Sequence, residues 1–294
     1  MTAPTLVLLA AGMGSRFGGP KQIAPIGPGG SALIDYAARD AVAAGFGRLV
    51  LIVRGEIAEA VERHVAEHWP GDLRRDYVRQ DLEPAAVAAT AAGRLKPLGT
   101  AHALVAAARA LDGPFGVANA DDLYGAAAFK LLADHLAGGG HALVGYRLAN
   151  TLLGDRPVNR ALCQVGPDGR LTGVVEGAVH VGAGKDGAQE VTWRPVGAPE
   201  ADAQVMGGDE PVSMNLWGFT EEIVPVLRRD FAAFEAGGGI AAGEELFLPN
   251  VVGQHLGPPD GLGVTVLVSE GRCLGVTHPD DVPLLQETFT GPAW

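Results

Sequence analysis

The sequence predicts an α/β fold, a mostly parallel mixed sheet covered by helices on both faces. Three observations carry the prediction. Strand-like apolar runs alternate with helix-patterned segments through the first half of the 294 residues, which is the βαβαβ rhythm of a parallel sheet. The first apolar run passes directly into a glycine-rich loop bearing Arg16 and Lys21. The fourth passes directly into Asn119-Ala120-Asp121-Asp122. Ligands of such sheets gather at the carboxyl ends of the strands, so the loop and the Asp pair can face one site.

The elements follow in order. Residues 5–11 form the first strand. Residues 32–44 have helical spacing at Leu33, Ile34, Ala37 and Ala41, with Ser31 as N-cap and Gly45-Phe46-Gly47 as the stop. A second strand spans 49–53, and an amphipathic helix spans 56–68 until Trp69-Pro70 breaks it. A short third strand spans 76–79, a helix spans 101–111 with Thr100 as N-cap, and a fourth strand spans 115–118. A helix over 129–136 and a fifth strand over 142–146 complete this half. Beyond it, strands over 161–165 and 171–176 flank a Pro167-Asp168-Gly169 turn. The stretch 185–210 is polar and turn-rich, with one strand-like patch at 191–193. A strand over 212–219, helices over 221–234 and 244–256 (broken near Pro249), a strand over 264–268 and a helix over 280–289 begun at Pro279 close the chain. No internal repeat and no linker divide it. One domain over 1–294 is expected, with a nucleotide-side half up to about residue 149 and a substrate-side half from about 150.

Nearly half of the chain, 47%, is hydrophobic, enough for a sizeable core. Twenty-two basic against 34 acidic residues give a formal charge of −12, which argues against nucleic acid or an anionic membrane as partner. No apolar run is long enough to span a bilayer. Two cysteines, Cys163 and Cys273, make no disulfide framework, and a reduced cytoplasmic setting follows. Nothing indicates an oligomer.

The glycine loop has glycines at 12, 14 and 18, so it fails the dinucleotide pattern. Pro20 before Lys21 fails the Walker pattern. Glycines admit a ligand close to the backbone, and bare N–H groups attract anions. Arg16 offers a planar fork and Lys21 a point charge for phosphate oxygens. The local chemistry reads as a triphosphate or pyrophosphate cradle; the plainer alternative is a turn with two solvated cations. Asp121, at a strand end, offers hard oxygens suited to Mg²⁺, and the plainer alternative is a solvated Asp-Asp turn. His64-Val65-Ala66-Glu67-His68 fits the inverted zinc-protease pattern but lies on the polar side of its helix with nothing to support it.

With both cations in view, the loop resembles the signature of the sugar-1-phosphate nucleotidyltransferases, the nucleoside-diphosphate-sugar pyrophosphorylases. The resemblance implies a glycosyltransferase-A-like Rossmann fold, three layers α/β/α. It implies attack by a sugar 1-phosphate on the α-phosphate of a nucleoside triphosphate, with release of pyrophosphate and Mg²⁺ as cofactor. By it, Ala10, Ala11, Gly12, Met13 and Gly14 bind the nucleotide, Arg16 and Lys21 hold the triphosphate, and Asp121 holds the metal. Gln80 and Gly99, in Gln80…Lys96-Pro97-Leu98-Gly99-Thr100-Ala101-His102-Ala103, resemble the family's base-binding Gln and helix start; a Gln amide matches the imide edge of uracil or thymine, so UTP or dTTP is favoured. Thr100 belongs to the same nucleotide-binding stretch. Glu176 would accept bonds from sugar hydroxyls, and Asn215 would lie near the sugar phosphate.

Two departures stand out. Glu176-Gly177-Ala178 replaces Glu-Lys-Pro, which removes a phosphate-binding lysine and leaves Arg160 to supply that charge. Cys273-Leu274-Gly275-Val276-Thr277 replaces Trp-x-Asp-x-Gly, which removes the second metal-ligating Asp; Asp280 and Asp281 nearby are read as caps of the last helix. The departures keep two alternatives open: transfer to an alditol or aminoalcohol phosphate, and a catalytically inactive NDP-sugar-binding regulator.

Overall fold

The structure, a computed structural model, describes residues 3–12, 19–184, 189–257, 261–276 and 278–294. The first strands and helices are β1 (Thr5–Leu9), α1 (Leu33–Ala44), β2 (Arg48–Val53), α2 (Gly55–His68), β3 (Arg75–Arg79), α3 (Pro84–Ala91), α4 (Thr100–Ala107), β4 (Phe115–Asn119), β5 (Asp122–Leu123), α5 (Ala126–Gly138) and β6 (His141–Arg147). Then come β7 (Val158–Val165), β8 (Leu171–Ala183), β9 (Gln189–Pro195), β10 (Gln204–Met206), β11 (Pro211–Phe219), α6 (Ile223–Ala236), α7 (Leu248–Gln254), β12 (Val264–Ser269), β13 (Leu274–Gly275) and α8 (Val282–Gln286).

One mixed sheet of eleven strands runs through both halves, in the order β10-β9-β8-β7-β11-β4-β1-β2-β3, with β6 on β11 and β12 on β6. Strands β4, β1, β2 and β3 are parallel to one another. Successive residues of the parallel strands enter opposite cores. Leu6, Leu8, Leu49 and Leu51 join Ile34, Val61 and Phe129 on the α1, α2 and α5 side. Val7, Val50 and Ile52 join Leu104, Leu227 and Val251 on the α4, α6 and α7 side. Burial on both faces is why these strands read as continuous apolar runs, and the expected three-layer fold is what they build.

Strand β11 positions the site. It lies antiparallel to β6 along its length. On its other edge it pairs with β7 at Val212 and Ser213, then with β4 from Trp217 to Phe219. Between these pairings the sheet forks, and a bulge in the β11–β6 register falls between Ser213 and Leu216. Bulges re-aim side chains and end pairing. Asn215, inside it, has φ 61°, the one non-glycine with positive φ among the described residues, a conformation that Asn tolerates.

Some elements differ from expectation. The polar stretch after residue 183 supplies β9 and β10, and β8 runs to Ala183, so β7 to β10 form an antiparallel arm. Its alternation is interrupted by glycines, which hid it. Helix α3 lies within 81–98, which carries no apolar stripe. Only 248–254 of the expected 244–256 helix forms. Ser31 does not cap α1: Asp35 accepts from the Ala32 N–H at 2.7 Å, and the Ser31 hydroxyl accepts from the Ala293 N–H at 3.0 Å. Asp35, buried, also takes Trp69 Nε1 and His64 Nε2. His68 Nδ1 bonds the His64 carbonyl of its own helix, so the His-x-x-Glu-His stretch is structural. Asp281 accepts from the His278 N–H at the start of the last turns, and Asp280 pairs with Arg156. Both cysteines are buried and free. Among the described residues no helix is long and apolar enough to cross a membrane.

Candidate functional site

A cavity of about 660 Å³ opens in the fork of the sheet, at the carboxyl ends of β1 and β4. A second, of about 320 Å³, adjoins it, and the two share Lys21, Asp122, Asn159, Arg160 and Met214.

The end of the glycine loop reaches this cavity. The Ala10 N–H continues the β1 ladder onto the Ile52 carbonyl at 2.9 Å. Gln22, buried just after Lys21, donates its amide to the carbonyls of Ala10 and Gly12 at 2.6 and 2.9 Å, tying the loop's two ends together. Gln22 was not singled out in the sequence; it follows the motif lysine and carries no charge. Lys21 Nζ pairs with Asp121 Oδ2 at 2.6 Å and donates to the Val276 carbonyl at 2.9 Å. So the loop lysine and the strand-end aspartate, 100 residues apart in sequence, meet as expected. Met13, Gly14 and Arg16 lie outside the described residues.

A polar network anchors the floor. Asn119, at the end of β4, donates its amide to Asp122 Oδ2 at 2.8 Å and accepts from Asn215 Nδ2 at 2.8 Å. Its backbone N–H donates to the Tyr124 hydroxyl, which donates to the Met214 carbonyl at 2.8 Å. Trp217 Nε1 donates to Asn215 Oδ1 at 2.8 Å. Asn215 therefore spends its amide on the scaffold and holds the bulge in place. Asn119 is a second residue that sequence reasoning passed over, although it stands inside the Asp motif. Burial and the neighbouring Asp121 carboxylate push the Asp122 pKa up to about 6.

The other wall is the arm. Arg160 is partly buried and donates to Thr151 Oγ1 and to the carbonyls of Thr151 and Asn159 at 2.9, 2.6 and 2.7 Å. It forms no ion pair among the described residues, and burial lowers its pKa. A desolvated cation bonded to neutral oxygens keeps its charge for a ligand. Directly opposite it on β8 stands Gly177. A Cβ there would overlap the indole of Trp193, whose Nε1 donates to the Arg160 carbonyl at 3.1 Å. A lysine at 177 has no room, and Arg160 brings the cation from the facing strand. Glu176, exposed, lines the large cavity with Val174, Val196, Pro249, Asn250 and the half-exposed Phe247.

The base-binding candidates lie elsewhere. Gln80 is buried, and its amide donates to the Gly99 carbonyl and approaches His102 Nδ1, both at 3.2 Å. It lines a separate cavity of about 40 Å³ beside Arg94 and Lys96. Gly99 has φ 105°, and a Cβ there would overlap the Leu246 carbonyl, which accepts from the Ala101 N–H. Thr100 reaches the large cavity, but it does not cap its own helix: its hydroxyl accepts from the Leu248 N–H at 2.8 Å, at the start of α7. The segment 246–248 thus sits on the helix start. His102, buried against Phe231, has its pKa lowered to about 4 by burial.

Among the described residues no three His, Cys, Asp or Glu side chains gather around one point. The adjacent carboxylates of Asp121 and Asp122 still suit a hard divalent cation that completes its shell with substrate phosphates. The Lys21 ammonium on Asp121 shows that a positive charge rests there.

Residues 6–150 match the model of the MobA-like NTP transferase domain. No curated protein matches the chain. Among solved structures, the chain is similar to the inositol-1-phosphate CTP transferase of T. maritima, with TM-score 0.64 and 14% identity over 100% of this chain and 99% of that one. It is similar to HddC from Yersinia pseudotuberculosis, with TM-score 0.61 and 15% identity over 98% and 100%. It is also similar to the CTP:phosphocholine cytidylyltransferase LicC of Streptococcus pneumoniae, with TM-score 0.60 and 15% identity over 97% and 99%.

Proposed function

We propose that this chain, whose residues 6–150 match the MobA-like NTP transferase domain, is a nucleotidyltransferase that transfers a nucleotidyl group from a pyrimidine nucleoside triphosphate to a small phosphate monoester. The observation that carries this reading is the one cavity lined by Lys21, Asp121 and Asp122 on one wall and, on the other, by Arg160, which forms no ion pair among the described residues. Arg160 holds the acceptor phosphate, and Lys21 faces the triphosphate. The acceptor oxygen is already ionised at neutral pH, so no side-chain base is needed. It attacks the α-phosphorus, a new P–O bond forms, and the bond to pyrophosphate breaks. The protein holds the two oxygens in line and neutralises the charge that builds on the leaving group. Asp121 would hold Mg²⁺, which when bound neutralises phosphate charge. Arg16 would supply a second cation for the triphosphate.

The sequence favours UTP or dTTP through Gln80. The engagement of the Gln80 amide with Gly99 and His102 weakens that support, and two of the similar structures are named for CTP. CTP is therefore the first triphosphate to try. Among acceptors, an aminoalcohol or alditol phosphate ranks beside a sugar 1-phosphate. The apolar wall of Val174, Val196, Pro249 and Phe247 with one carboxylate, Glu176, suits a small acceptor with few hydroxyls. The test is incubation with Mg²⁺, each triphosphate and a panel of sugar, alditol and aminoalcohol phosphates, reading pyrophosphate release and product mass. Release with any acceptor supports transfer and identifies its class. No release with any pair favours the inactive, NDP-sugar-binding regulator.

A further inference from the structure

The position at which the resemblance places a second metal-binding carboxylate carries Gly275, and the structure shows what fills it. Gly275 on β13 pairs directly with Asp122 on β5, in a two-stranded ladder of its own. A Cβ on residue 275 would overlap Asp122 Oδ1. Only glycine at 275 leaves the Asp122 carboxylate where it stands. The two oxygens of that carboxylate are used differently. Oδ2 takes the Asn119 amide at 2.8 Å and faces the Tyr124 hydroxyl, whereas Oδ1 takes no hydrogen bond from the described residues. Asp122 lines both lobes of the cleft. A carboxylate tethered through one oxygen, with the other lying against a glycine and accepting no hydrogen bond from the described residues, keeps a lone-pair face that a cation can use.

We propose that Asp122 is the second carboxylate of the divalent-cation site that Asp121 begins, placed there from the strand facing Gly275. The inference rests on the nucleotidyltransferase reading above. On the opposite wall Arg160 likewise faces Gly177 across a ladder. In both places a charged residue is the cross-strand partner of a glycine. Cross-strand pairs share one face of a ladder with their Cβ atoms about 5 Å apart, so each charge stands near the point at which the resemblance implies one on the glycine's strand.

The test is Mn²⁺ binding followed by electron paramagnetic resonance, with α,β-methylene CTP and separately α,β-methylene UTP present. Pyrophosphate release by the wild type with Mg²⁺ is measured alongside. Asp122→Asn keeps the shape of the side chain and removes its charge; it is expected to weaken Mn²⁺ at least about tenfold, the loss that even an outer-shell partner causes. The double variant Asp122→Gly with Gly275→Asp returns the carboxylate to the other strand. It is expected to bind Mn²⁺ more tightly than Asp122→Gly alone, a rescue that a purely structural role would not give. Circular dichroism identifies the folded variants. Asp122→Asn holding Mn²⁺ as tightly as the wild type overturns the inference, as does a folded double variant no tighter than Asp122→Gly. If the wild type releases pyrophosphate and Asp121→Asn alone loses Mn²⁺, the inference falls and the nucleotidyltransferase reading stands. If the wild type neither binds Mn²⁺ nor releases pyrophosphate, both fall.

Discussion

The two walls of the cleft obey different rules. On one wall, β1 and β4 are parallel strands sealed on both faces, so their charged residues can stand only where the strands end. Lys21, Asp121 and Asp122 lie just past those ends. On the other wall, β7 and β8 form an antiparallel pair inside the arm, between β9 and β11, and polar residues occur along their length. A charge on the first wall has one place to be. A charge on the second can stand on either of two facing strands and still reach the same cavity, and Arg160 stands opposite Gly177. Position is set by topology on one side and by register on the other.

The largest expected effect breaks the first wall. Lys21→Ala should lower turnover at least about a hundredfold, the scale of losing one preorganised charge contact, and Arg16→Ala should do the same. Steady-state rates of pyrophosphate release measure both. Near-normal turnover in the two variants would sink the mechanism.

The contrast also decides what could be read in the sequence. The parallel half announces itself because burial on both faces forces unbroken apolar runs, and because the glycine loop and the Asp pair must follow them directly. Lys21 and Asp121 were legible for that reason. The fork was not: it depends on β11 changing partners between Ser213 and Trp217, and no local pattern encodes a change of neighbour. Gln80 shows the opposite limit. Its residue type and place after β3 suited a base reader, yet the segment after it folds into α3 and the stretch at 246–248 covers Gly99, so its amide turns inward. Both missing motif charges looked like losses in one dimension. The ladders show each glycine facing a residue of the missing sign.

A second prediction sharpens the contrast through pH. His102, buried beside Gln80 and Phe231, is held neutral by burial, with its pKa lowered from 6.5 to about 4. Its contribution to stability is complete above the unfolded value and is lost as the pH falls from about 6.5 through about 4. Wild type should therefore lose about 3 kcal/mol more between pH 7 and pH 4 than His102→Gln, which cannot titrate. Urea denaturation at the two pH values measures the difference; parallel losses in both proteins would remove His102 from the account.

Two glycines of β8 separate packing from backbone freedom within the arm. At Gly177 a Cβ meets the Trp193 indole, whereas at Gly182 it meets nothing within 4 Å. Gly177→Ala should cost about 1–3 kcal/mol through overpacking. Gly182→Ala should stabilise by about 0.5–1 kcal/mol, because glycine in a strand loses more freedom on folding. Melting of the two variants checks the pair. Equal shifts would mean that Trp193 gives way freely, and the steric reason for excluding a lysine at 177 would go with it.

The smallest effect probes the register itself. Arg160 commits three donors to Thr151 and Asn159, which fixes the plane of its fork, and the remaining guanidinium N–H groups are left for the cleft. Arg160→Lys keeps the charge and loses the fork. If the arm binds the acceptor phosphate by bidentate geometry, its KM for the acceptor should rise about tenfold with the triphosphate KM unchanged, the difference between a planar clamp and a point charge. A triphosphate KM that rises equally would put Arg160 on the leaving-group side. The two walls would then share one task, and the division of labour drawn from the fork would fail even with the chemistry intact.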